Sequence, residues 1–178
     1  MSFLVRKLNK RDQLYQLIEK ESIEDIYADV PSNEFRTTKG TLSTWIIDTL
    51  DNLENAVLAI AVSSTKISKM DFIVMDTDLL VKNGLEYKKT YAGVDIPIPD
   101  LQETHYDIIG VSLKKMTNCT NVYKSIFEEE NEEIEKCIVR FSEPQIKEML
   151  KKAISQNRVD KTKATKNIRE TIEKLSAA

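Results

Sequence analysis

The eleven residues Asn52–Val62 set the strongest constraint on what this chain can fold into. Leu53, Ala56, Val57, Leu58, Ile60 and Val62 cover nearly every side of a helical wheel. A helix without a polar face has to be buried, so the spacing predicts a helix at the centre of the fold. Asp51, with Glu54 three residues on, offers a capping box at its start. The run Ala56–Val62 is the longest unbroken apolar stretch and spans only seven residues, far short of the ~20 needed to cross a bilayer.

Other elements follow from periodicity and turn chemistry. Phe3–Leu8 reads as a short strand, and 12–21 as a helix with Leu14, Leu17 and Ile18 at helical spacing. Ser22–Val30 continues as a second short helix that Pro31 closes. Glu34–Thr38 and Thr41–Ile47 are rich in Thr, Phe, Trp and Ile and flank Lys39-Gly40, the pattern of a β-hairpin. Met70–Met75 is a buried strand, and a turn or two of helix runs to Lys82 before Asn83-Gly84. Strands at Leu85–Tyr91 and Tyr106–Val111 bracket an ordered loop containing Pro97 and Pro99. A helix is expected over Ser112–Phe127 and a strand over Ile134–Phe141. Ser142-Glu-Pro-Gln145 starts another helix, with Ser at the N-cap and Pro in the first turn. Gln156-Asn-Arg158 interrupts it, and Ala164, Ile168, Ile172 and Leu175 mark a last one.

The carboxyl-terminal part divides by charge. Residues 128–143 carry seven acids against two bases, and residues 144–178 nine bases against four acids. No internal repeat or low-complexity tract is present. The fold expected is α/β or α+β: a single mixed sheet with packed helices, a core domain over 1–142, and a helical segment over 143–178 packed on it or projecting from it.

Counts of rarer residues exclude several enzyme classes. The four glycines are never closer than nine residues, so no glycine-rich phosphate loop can be written, and Rossmann and P-loop chemistry is excluded. One histidine and two cysteines without a C-x-x-C cannot build a His-rich or structural zinc site. Cys119 and Cys137 read as small core hydrophobes. Arg6 and Lys7 follow the first five residues before a secretory apolar region can form. The expected location is therefore cytoplasmic. No cofactor is implied.

Four groups of residues carry candidate chemistry. If 103–107 is extended, Glu103, His105 and Asp107 point the same way, a set suited to acid–base catalysis. Any serine triad would have to run through His105, the single histidine. Asp76 and Asp78, followed by Glu86-Tyr87-Lys88, have the layout of acids that hold a divalent metal in a hydrolase, with a lysine beside the attacking water. Lys161, Lys163 and Lys166 belong to a basic stripe that can neutralise nucleic-acid phosphates; the acidic pI of about 5.4 and the lack of interleaved aromatics favour a solvated helical face instead. Arg36 and Trp45 together with Ile168 and Ile172 are the residues expected to anchor a protein partner.

The reading carried forward is a non-catalytic interaction protein: a subunit, adaptor or inhibitor whose partner is another protein or a second copy of itself, with no membrane involvement. Metal-dependent, nuclease-like hydrolysis and nucleic-acid binding through the basic carboxyl-terminal helices are the alternatives.

Overall fold

A computed structural model describes residues 2–9, 14, 19–20, 22–37, 39–91, 95–128 and 137–177. Six strands form one sheet: β1 (Phe3–Lys7), β2 (Leu42–Ile47), β3 (Met70–Asp76), β4 (Glu86–Lys89), β5 (His105–Ile109) and β6 (Ile138–Phe141), in the order β4-β5-β2-β1-β3-β6. Every pairing is antiparallel, which puts the fold in the α+β class, one sheet with packed helices, without a parallel pair among the described strands.

Strand composition matches strand position. In β3, Phe72, Ile73, Val74 and Met75 are all buried, so the strand is covered on both faces and reads as a continuous apolar run. The edge strand β4 is Glu-Tyr-Lys-Lys, the charged sequence that discourages further pairing.

Helices cover the two faces. On one lie α2 (Leu53–Ser63), the 3₁₀ turn Pro99–Thr104, α5 (Glu143–Ser155) and α6 (Lys166–Ser176), joined with Val5, Trp45, Phe72 and Val74 in a single core. On the other lie α1 (Asp29–Glu34), α3 (Thr77–Lys82) and α4 (Leu113–Glu128), packed on Leu4, Leu42, Ile73 and Ile108. From Ala56 to Val62 every residue of α2 is buried. Its full apolar circumference meets the sheet on one side and α5 on another.

The carboxyl-terminal helices are packed on the body. Ile146, Leu150 and Ala153 of α5 and Ile168 and Ile172 of α6 join the same core as α2. The Arg158 guanidinium donates to Asp100 Oδ2 at 2.6 and 3.1 Å, and Asp160 N donates to the Pro97 carbonyl at 2.7 Å. Ser142 and Gln145 form the reciprocal capping box expected of them.

Some expectations need correction. Residues 29–34 form α1, so no first hairpin strand starts at Glu34, and β2 pairs with β1 and β5 instead. Pro31 does not close a helix. It is the third residue of α1, in the first turn, where its missing N–H breaks no helical bond. The turn itself is present, with Lys39 and Gly40 at φ of 58° and 73°. At α2 the cap residue is Asn52 and makes no side-chain capping bond, so the Asp51–Glu54 box does not form. Most of the helix expected over 12–21 and the start of the strand expected at Ile134 fall outside the described residues.

Candidate functional site

The sequence-derived residues disperse over the fold. Asp76 ends β3 and caps α3, its carboxylate accepting from Asp78 N at 2.7 Å. Glu86 is on β4, with three strands between it and β3. At ~4.8 Å per strand that separation is about 19 Å. The structure therefore groups Asp76 with Asp78 but not with Glu86. Among the described residues no three His, Cys, Asp or Glu side chains stand together as a metal cluster.

The basic residues are partly engaged in the fold. Lys161 and Lys163 bound a 3₁₀ turn and Lys166 begins α6. Lys163 Nζ lies 3.3 Å from Asp95 Oδ2, and Arg169 donates to the Ala164 carbonyl.

Three of the four residues expected to anchor a protein partner are buried. Trp45 is 6% exposed and Ile168 and Ile172 are fully buried, because α2, α5 and α6 close over that face. None of the three reaches the surface. Arg36 is exposed, but it follows Phe35 on the opposite face of the sheet from Trp45.

His105 is where the expected acid–base set changes most. Glu103 lies within the Pro99–Thr104 turn rather than extending the strand, and its carboxylate takes an ion pair from Lys89. That charge-assisted bond holds the Lys89 amine above its ordinary range. Glu103 is therefore not in line with His105. His105 opens β5 at 4% exposure, packed edge-on against Trp45 with ring centres 4.7 Å apart. Asp107, two residues on, shares its face. The register sets Asp107 opposite Ser43 of β2 on one side and Lys88 of β4 on the other.

Both imidazole nitrogens have partners. Nδ1 lies 3.3 Å from the Thr90 carbonyl and 3.0 Å from Thr90 Oγ1. A carbonyl can only accept, and on that contact the proton is assigned to Nδ1, with Nε2 as the acceptor. Ser43 Oγ, 2.7 Å from Nε2, then donates to it. Burial holds the imidazole pKa below its usual value, against the opposing pull of the Asp107 charge and the Thr90 carbonyl. Ser43 itself is exposed, and its carbonyl is fixed by Arg6 Nη1 at 3.1 Å. Sequence reasoning identified His105 but not Ser43. The two are 62 residues apart, and only the β2–β5 register brings them together.

A second feature lies on the far face. The turn and helix over residues 23–32 and the first half of α4 enclose an open groove of about 250 Å³ floored by Ile23, Ile26, Pro31 and Met116. Leu113 stands at its rim with 84% of its surface exposed. The groove continues along α4 into a polar reach edged by Glu24, Asn121 and Lys124. Cys119, on the inward side of the same helix, is buried, and burial pushes its thiol up to about 11, in keeping with a core filler.

Compared with protein-family models, curated proteins and solved structures, the chain has no significant match.

Proposed function

We propose that the protein acts by association, as a subunit, adaptor or inhibitor, and that another protein docks along the groove between residues 23–32 and α4. The reading is carried by Leu113. A leucine 84% exposed at the rim of an apolar groove keeps apolar surface in water unless a partner covers it. The apolar floor at one end and the polar reach at the other suit a partner segment with apolar anchors followed by polar residues. Among the described residues no helix is long and apolar enough to cross a membrane, and a cytoplasmic partner is part of the proposal.

A photo-activated cross-linker placed at Leu113 tests it, with the same group at exposed Lys174 on α6 as control. One stoichiometric protein adduct from position 113, absent from position 174, is the expected result. A cross-linked second copy of the chain would make the protein a homo-oligomer. No adduct, or equal adducts from both positions, would overturn the reading.

A further inference from the structure

We propose that Ser43 is an activated nucleophile, and that Ser43 and His105, with the imidazole held by Thr90, form a site that accepts acyl groups from activated esters. Ser43 is exposed while its hydroxyl donates to His105 Nε2 at 2.7 Å. The base is oriented by a third group, as nucleophilic catalysis requires, because the Thr90 carbonyl and hydroxyl hold the protonated Nδ1. Burial against Trp45 fixes the ring plane, and Arg6 fixes the Ser43 backbone. The site lies on the opposite sheet face from the docking groove, so it stands independently of the association reading.

In the reaction, Ser43 Oγ attacks the ester carbonyl carbon while its proton passes to His105 Nε2. A new C–O bond forms at Oγ, the bond to the leaving oxygen breaks, and the leaving group departs as its oxide. His105 then releases the proton to solvent or to that oxide, and the protein carries an acyl-Ser43. The charged side chains placed around His105 are Asp107 on its own strand, Lys88 opposite Asp107, and the Lys89–Glu103 pair at the strand's entry. Asp107 is a positioning residue whose carboxylate steadies the imidazolium. The substrates proposed are esters whose leaving group departs readily, which asks least of oxyanion stabilisation.

The probe is p-nitrophenyl acetate with the full chain, read by p-nitrophenolate release and by peptide mass spectrometry. Ser43 should be acetylated at least about tenfold faster than the exposed serines Ser112 and Ser155. Ser43→Ala should remove the fast phase, and His105→Gln should bring Ser43 down to the rate of the reference serines. The rate should fall on acidification with a midpoint below the ordinary histidine value, and Asp107→Asn should move that midpoint lower still. Should His105→Gln not fold, the midpoint and its shift in Asp107→Asn decide the matter. Acetylation of Ser43 no faster than of Ser112 and Ser155 in the folded protein, or a fast phase that survives Ser43→Ala, would overturn the proposal.

Discussion

Arg6 of β1 and Glu34 at the end of α1 are locked together beneath the helices of one sheet face. Arg6 Nη2 donates to the Glu34 carbonyl at 2.9 Å, and Arg6 Nε stands 3.6 Å from Glu34 Oε1. The Glu34 side chain is 3% exposed and that of Arg6 11%. The same carboxylate accepts from Asn9 N at 2.8 Å and faces the Tyr123 hydroxyl at 3.4 Å. Removing the acid leaves a buried guanidinium uncompensated, so Glu34→Ala should destabilise the fold by about 3–5 kcal/mol. The double variant Arg6→Met with Glu34→Leu should recover part of that loss. Urea denaturation of the three proteins is the measurement.

The titration of His105 links stability to pH. Its folded pKa lies below the ordinary value of 6.5, chiefly because burial disfavours the imidazolium. The unfolded chain therefore takes up the proton first. Stability from this group is fully present above the ordinary value and is lost as pH falls from there to the folded value, at no more than about 1.4 kcal/mol per pH unit. The difference between wild type and His105→Gln, followed by thermal denaturation from pH 7.5 downward, should shrink across that window. A difference that does not vary with pH would contradict the assignment.

Packing of the carboxyl-terminal helices predicts a single unfolding transition. Ile168 and Ile172 are fully buried against the core that α2 organises. Ile172→Ala should cost about 2–5 kcal/mol, and the whole protein should lose that stability together. Lys174→Ala, two residues on and exposed, should change stability by less than about 0.5 kcal/mol. A separate low-temperature melting of α6 in the isoleucine variant would show that this helix is not part of the cooperative unit.

At the start of α5, Ser142 accepts from Gln145 N while Gln145 accepts from Ser142 N. Ser142→Ala should cost about 1 kcal/mol, measured by thermal denaturation, and Ser142→Asp should retain most of the stability because it caps in the same way.

What the sequence made legible was local. The apolar circumference of α2, the continuous run in β3 and the Ser142 cap are set by residues within one or two turns of each other, and each is present in the structure. The Asp51–Glu54 box is the local signal that misled, since a 3₁₀ turn over Leu50–Asn52 moves the helix start past it. Site geometry was less accessible because it depends on strand order and layering. Nothing near Glu86 in the chain tells that three strands stand between it and Asp76, and nothing near Trp45 tells that α2 covers it. His105 could be singled out by its rarity, but its hydroxyl partners are supplied from elsewhere in the chain, Ser43 by β2 and Thr90 by the residue just after β4.

The distance in sequence between α2 and its cover has a consequence during synthesis. Glu143, where α5 begins, is 80 residues after Ser63, where α2 ends. At about 5–20 residues per second that interval lasts roughly 4–16 seconds. Throughout it, a helix apolar on every side has emerged without the helices that will seal it. Slower translation of this stretch lengthens the time for which that apolar surface is open to aggregation.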